Sequence, residues 1–316
     1  MPSLDGATGW LNSDPLTPAA LRGRVVLVQF WTYTCINWLR TLAHVRAWSE
    51  RYRDDGLVVL GVHTPEFSFE RDVRNIRRAV QSMRIDYPVA IDSDYAVWGA
   101  FANHYWPALY FVDAAGRIRH HQFGEGDVEE SERVLQRLLA EAGADVAGRP
   151  LVQVAPTGPE AAADWDDLRS GETYLGYGRT ADFASREALA PDLRRAYSLP
   201  PALRLNSWAL AGEWRMQSES ALLEEAGGRI AYRFSARDLH LVLAPEPWGT
   251  SVPFRVRLDG EPPGAAAGDD VDANGEGVAR DQRLYQLIRQ QPPIDGRTFE
   301  IEFLLSGVRG VVVTFG

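Results

Sequence analysis

Cys35 is the one cysteine among 316 residues, so the chain cannot close an intramolecular disulfide, and a cysteine-cluster metal site is excluded with it. Any sulfur chemistry must be done by Cys35 alone or with another molecule's thiol. Long apolar runs are also missing: no stretch approaches the roughly 18 consecutive apolar residues that a membrane span needs. Basic residues are outnumbered, 33 against 43 acidic ones for a net charge of -10. That balance argues against nucleic acid or anionic lipid as the main partner, since both call for clustered positive charge. Met1 to Asp14 has no basic region followed by an apolar core. The setting expected for the chain as it stands is cytoplasmic, or periplasmic or extracytoplasmic if a signal has been removed. The six histidines, His44, His63, His104, His120, His121 and His240, show no spacing that would build a tetrahedral metal site, and no cofactor is expected.

What is present is a soluble-protein composition, 45% hydrophobic and 24% charged, in a chain long enough for two cores. Val25 to Trp31 (VVLVQFW) is a continuous apolar run, the pattern of a strand buried on both faces. Trp38, Leu42, Val45, Trp48 and Tyr52 then share one stripe of a helix expected from about Cys35 to Arg53, closed by Gly56. Leu57 to Val62 reads as a second buried strand, and Phe69, Val73, Ile76 and Val80 recur at helical spacing. Strands at Tyr87 to Ile91, Ala108 to Val112 and Arg117 to Phe123, a short helix at Asp94 to Phe101, and a closing helix marked by Val128, Leu135, Leu138 and Leu139 complete the first half. This is the thioredoxin order of elements, an α/β fold.

Residues 146–164 are rich in Ala, Gly and Pro and read as a linker between a domain at 1–145 and one at 165–316. The second half offers short strand-like runs at Ile230 to Phe234, Leu239 to Leu243, Phe254 to Leu258, Phe299 to Leu305 and Gly310 to Phe315. Phe254, Val256 and Leu258 alternate with Arg255 and Arg257, as in an antiparallel strand with one wet face. The expectation is an all-β sandwich of jelly-roll type.

Cys35 falls where strand gives way to helix. Unpaired backbone N–H groups and the helix dipole favour negative charge there, so a reactive thiolate is the sharper reading and a buried, inert thiol the other. Four stretches around it, FWTYTC, WTYTCINWLRTL, HTPEFSFE and YWPALYFVD, together with YPVAIDSDYAVW and ETYLGY, resemble the thioredoxin and redoxin superfamily. More specifically, they resemble the soluble C-terminal portion of DipZ-type proteins. The resemblance implies a thioredoxin-like domain followed by a β-sandwich resembling a carbohydrate-binding module, and a cis bond between Trp106 and Pro107, although only about 5% of X-Pro bonds are cis. It also implies a cleft at Cys35 framed by Trp31, Thr32, Thr34, Trp38, Trp106 and Pro107.

The chain departs from that pattern in two places. The C-x-x-C of the family is C-x-x-W here, with Trp38 at the fourth position, so a dithiol cycle cannot be completed within the molecule. Gln29 stands where thioredoxins carry a buried carboxylate, leaving no obvious general base. Peroxiredoxins need a threonine three residues before their cysteine and a proline four residues earlier still; Thr32 meets the first requirement and Val28 fails the second.

The function these residues point to is thiol-disulfide exchange through mixed disulfides at Cys35, with a thiol or disulfide protein or a small thiol as partner. The alternatives are a one-cysteine peroxidase, and an inactive thioredoxin-fold binding protein whose sandwich recognises a carbohydrate or a protein. Trp165, Trp208, Trp214 and Trp248 could stack on sugar rings or fill the core. Asp270, Asp272 and Asn274 around Gly275, with Asp281 at the twelfth position, are spaced like calcium ligands, a solvated acidic turn being the plainer reading.

Overall fold

The computed structural model describes all 316 residues, which divide into two compact units, Met1–Ala161 and Ala162–Gly316. In the first unit the strands are β1 (Gly9–Leu11), β2 (Val25–Trp31), β3 (Leu57–His63), β4 (Val89–Ile91), β5 (Ala108–Val112) and β6 (Ile118–Phe123). Its helices are α1 (Ile36–Tyr52), α2 (Val73–Ser82), α3 (Ala96–Ala100) and α4 (Val128–Glu141). The strands form one sheet in the order β1-β4-β3-β2-β5-β6, with β2, β3 and β4 parallel and the others antiparallel to their neighbours. This is the thioredoxin arrangement.

All seven residues of β2 are buried, and strand alternation sends them to opposite faces. Val26, Val28 and Phe30 join a core with Val97 and Phe101 of the α3 region. On the other face Gln29 donates to Thr41 of α1 at 3.1 Å, and Trp31 stacks on Trp38. The stripe of Leu42, Val45, Trp48 and Tyr52 on α1 is fully buried, as its spacing requires.

The segment expected as one helix from Phe69 to Val80 is two elements. Ser68–Arg71 is a single 3-10 turn, and α2 begins afresh after Asp72, whose carboxylate accepts from the Arg74 N–H as an N-cap. The break turns Glu70 inward and leaves Val73 exposed. Residues 146–160 lie on the first unit: Val146 is buried, Arg149 pairs with Asp55 at 2.6 Å, and the Val152 N–H donates to Glu132 at 3.0 Å.

The second unit is all-β. Its strands are β7 (Thr173–Tyr174), β8 (Arg194–Tyr197), β9 (Trp208–Met216), β10 (Ala221–Leu223), β11 (Arg229–Phe234), β12 (Asp238–Pro245), β13 (Val252–Leu258), β14 (Glu276–Ala279), β15 (Arg283–Arg289), β16 (Arg297–Phe303) and β17 (Val308–Phe315). They make a curled antiparallel sheet, consistent with a sandwich, in which β9 bonds to β11 through Trp208–Ala211 and, further along, to β10 through Trp214–Met216 and to β8 through Gly212–Arg215. The sheet curls over a core that includes Trp208, Trp214, Tyr232, Phe254, Phe303 and Phe315. Phe254, Val256 and Leu258 face that core while Arg255 and Arg257 do not. Two of the four tryptophans considered for sugar stacking, Trp208 and Trp214, are therefore core residues. Their N–H groups are spent on the carbonyls of Ala181 and Ala211. Trp165 and Trp248 are 61% and 46% exposed.

The calcium reading is corrected by the same unit. Both carboxylate oxygens of Asp270 bind the Arg283 guanidinium, and one also accepts from the Gln286 N–H. Asp272 spends its carboxylate on the N–H groups of Asn274 and Glu276, closing its own turn. The acidic residues among Asp270, Asp272, Asn274 and Asp281 form no group that could hold a metal ion, and nearby donors take both oxygens of Asp270 and one of Asp272.

Candidate functional site

The fold brings the end of β2, the start of α1, the residue after β3 and the residues before β5 to one place. Cys35 is the N-cap of α1, with extended backbone (φ -75°, ψ 113°), and its carbonyl accepts the first helical hydrogen bond from the Leu39 N–H at 3.0 Å. It thus stands just outside the first turn in which the sequence pattern placed it, still at the positive end of the helix. The thiol is partly exposed and its Sγ lies 3.8 Å from the carbonyl oxygen of Trp106. The Trp106-Pro107 bond is cis.

Trp106 is fixed from behind. Its indole N–H donates to the Thr64 carbonyl at 3.0 Å, and its ring lies 4.3 Å from that of Trp98. The Thr64 hydroxyl donates to Asp92 at 3.1 Å, and Asp92 also accepts from the N–H groups of Val97 and Trp98 at the start of α3. Burial raises the Asp92 pKa, against the pull of those N–H groups. On the other flank, the Pro107 carbonyl accepts from the Gly124 N–H at 2.9 Å, and the next residue, Glu125, pairs with the buried Arg40 of α1 at 2.9 Å.

Of the residues expected to frame a cleft, Trp106 and Pro107 border the thiol. Trp31, Thr32, Thr34 and Trp38 lie inside: all four are buried, and the Trp31 and Trp38 rings stack with centroids 4.4 Å apart. Their rings present no face to a ligand; they hold the 32–35 loop from beneath. Helix geometry explains this, because Trp38 begins the stripe of α1 that Leu42, Val45, Trp48 and Tyr52 continue, and a large apolar ring on that face fills the interior. His63 packs edge-on to Trp31 and parallel to Tyr33, and neither of its ring nitrogens has a hydrogen-bond partner. Burial lowers its pKa to about 3.

Glu70 escaped the sequence reading. It is fully buried, accepts from the Thr34 hydroxyl at 2.6 Å on one oxygen and from the N–H groups of Glu66 and Phe67 on the other, at 2.6 and 3.0 Å. Burial pushes its pKa up to about 7, opposed by the Thr32 and Thr34 hydroxyls and the Phe67 N–H. The signal that could have found it is HTPEFSFE, where a carboxylate follows a Pro-containing turn beside a buried strand.

Together these features define a thioredoxin-fold chain with one partly exposed thiol at a helix N-terminus opposite a cis proline. Comparison with known proteins agrees. Residues 10–121 match the AhpC/TSA family, and residues 170–316 match the family described as "Thioredoxin like C-terminal domain". Thiol-disulfide oxidoreductase YkuV of Bacillus subtilis is 32% identical over 141 residues, 45% of this chain and 95% of that protein. Protein DipZ of Mycobacterium tuberculosis is 38% identical over 266 residues, 83% of this chain. The chain spans about a third, 36%, of the length of that DipZ protein. A solved structure, the solution structure of a thioredoxin-like protein in the oxidised form, is 34% identical, with a TM-score of 0.42 over 45% of this chain and 95% of that one. The chain belongs to the thioredoxin-like family.

Proposed function

We propose that this protein carries out thiol-disulfide exchange as a monothiol, with Cys35 as the nucleophile. The observation that carries the reading is the position of its one thiol, partly exposed at the N-cap of α1 and facing the Trp106 carbonyl beside cis Pro107. The name of the YkuV relative supports it. The Cys35 thiolate attacks one sulfur of a partner disulfide; that S–S bond breaks, a Cys35 mixed disulfide forms, and the departing thiolate takes a proton. A thiolate from a further molecule then attacks the mixed disulfide and releases Cys35, since Trp38 offers no sulfur for this step. One disulfide has then been exchanged for another, with no net change in oxidation state.

Incubation with oxidised glutathione tests this by intact mass. The wild type should gain one glutathionyl group that dithiothreitol removes, and Cys35→Ser none. A wild type that gains nothing, while its thiol titrates normally in denaturant, would sink the proposal.

A second reading is favoured by the AhpC/TSA match over residues 10–121, which contains Thr32 three residues before Cys35. Here the thiolate attacks hydrogen peroxide, breaking the O–O bond to give a sulfenic acid and a hydroxide that takes a proton from solvent; one external thiol then condenses with the sulfenic acid to a mixed disulfide and water, and a second releases Cys35 and leaves as the external disulfide. Peroxide loss in a single turnover, abolished in Cys35→Ser, separates this activity from exchange.

A further inference from the structure

Glu70 is the one fully buried carboxylate bonded to the residue that precedes Cys35, and thiol-disulfide exchange as written above does not use it. Its two oxygens are not equivalent. One is held by two backbone N–H donors, from Glu66 and Phe67, and can only accept; the other meets the Thr34 hydroxyl. When Glu70 is ionised, Thr34 must donate to it. When Glu70 is protonated, the proton must sit on the oxygen that faces the Thr34 and Thr32 hydroxyls, and one of these then accepts it. The 32–35 loop that ends at Cys35 thus carries the two hydroxyls whose hydrogen bonding to Glu70 changes as it titrates.

The groups that face Glu70 come from every element packed on it. Glu66, from the same loop, disfavours its charge. Tyr33, from the 32–35 loop, and Tyr95, at the start of α3, both feel its field. Behind Tyr33 lie His63, stacked on its ring, and Asp72 and Arg78, which act on its hydroxyl. Behind Tyr95 lies Arg71, over its ring at 5.9 Å. His63 does not titrate in the neutral range, and the tyrosines stay protonated there, so Glu70 is the group of this cluster that changes charge near neutrality.

We propose that Glu70 is a positioning residue for Cys35, and that its ionisation, relayed through the Thr34 hydroxyl, sets how the reactivity of the thiol depends on pH. This rests on Cys35 being the reacting group, as argued above. A carboxylate that gains its charge behind the loop opposes a thiolate at the helix start, so the thiol is the more acidic while Glu70 is neutral.

The test is the rate of Cys35 alkylation by iodoacetamide between pH 5 and 9, which reads the thiol directly and needs no disulfide partner. The wild type should show two inflections, one near pH 7. Glu70→Gln can keep all three hydrogen bonds, its amide oxygen accepting from the two backbone N–H groups and its NH2 donating to Thr34. That variant should show one inflection and alkylate roughly three- to tenfold faster at pH 7.5, a coupling of about half to one pKa unit. Thr34→Val, which takes one hydrogen bond from the ionised carboxyl, should move the lower inflection to higher pH, whereas Thr34→Ser should leave it in place, so the proposal stays testable even if the Glu70 variant does not fold. A single inflection in the wild type, or curves for wild type and Glu70→Gln that superimpose, would overturn the inference. A two-step alkylation curve in a protein that takes up no glutathione would leave this inference standing and remove the exchange reaction.

Discussion

The indole of Trp38 lies 4.4 Å from that of Trp31, centroid to centroid and 23° from parallel, and neither ring reaches solvent. The position at which a C-x-x-C protein carries its second sulfur is, in this chain, a piece of the hydrophobic core. Trp38→Ala should therefore cost about 3–5 kcal/mol of stability through the cavity it leaves. Urea unfolding followed by circular dichroism measures this, and a loss below about 1 kcal/mol would contradict the packing described.

Gly61 should not tolerate alanine. A Cβ on this residue of β3 would sit 2.8 Å from the Trp31 indole nitrogen and 3.2 Å from the Tyr87 ring. Alanine ordinarily suits a strand better than glycine, so the sign of the effect is informative. Gly61→Ala is expected to destabilise by about 1–3 kcal/mol through overpacking. A variant as stable as the wild type in the same urea titration would show that the Trp31 ring can move.

His63 makes the stability depend on pH in a direction its burial fixes. The folded chain holds it neutral down to about pH 3, whereas the unfolded value is 6.5. Between those values the unfolded state binds one more proton, so the stability contributed by the neutral ring is present at pH 7 and lost as pH falls, with a slope approaching about 1.4 kcal/mol per pH unit. Glu70 acts the other way: with its folded pKa raised from 4.5 to about 7, its contribution is lost as pH rises through that span. A comparison of wild type with His63→Phe isolates the first effect. The gap between their urea midpoints should move steadily in favour of the variant from pH 7 to pH 4, and a constant gap would refute the assignment.

Glu132 fastens the end of the first unit. Its carboxylate accepts from the Trp48 indole at 3.0 Å, the Tyr52 hydroxyl at 2.6 Å and the Val152 N–H at 3.0 Å. Removing it leaves buried donors without an acceptor, so Glu132→Ala should cost on the order of 3 kcal/mol. It should also open residues 146–160 to limited proteolysis. Protection of that segment unchanged in the variant would show that other contacts hold it.

Much of this architecture is legible in the chain. The buried run at Val25–Trp31, the stripe on α1 and the alternation in β13 each follow from a periodicity that burial imposes. Other parts are not, for reasons that can be named. β1 is three residues long and exists only through its pairing with β4, far along the chain. Residues 146–160 have a linker's composition, yet they are anchored by Arg149 and Val152, one through a side chain and the other through its backbone N–H. Asp270 and Asp272 have the spacing of calcium ligands, but the deciding partner of Asp270 is Arg283, thirteen residues on. Glu70 hid because a regular helical wheel drawn through Phe69 and Val73 assumes an unbroken helix, and the turn at Asp72 breaks it.

On the exchange reaction proposed above, Trp38 leaves these residues no second thiol with which to resolve a mixed disulfide at Cys35. Proteins with two active-site cysteines must have one of them removed by mutagenesis before their covalent complexes persist long enough to be caught. With Trp38 in that place, the proposed exchange would leave the other molecule attached at Cys35 until a further thiol arrives, and non-reducing electrophoresis of the unaltered protein should carry the identity of its partner in the shifted band.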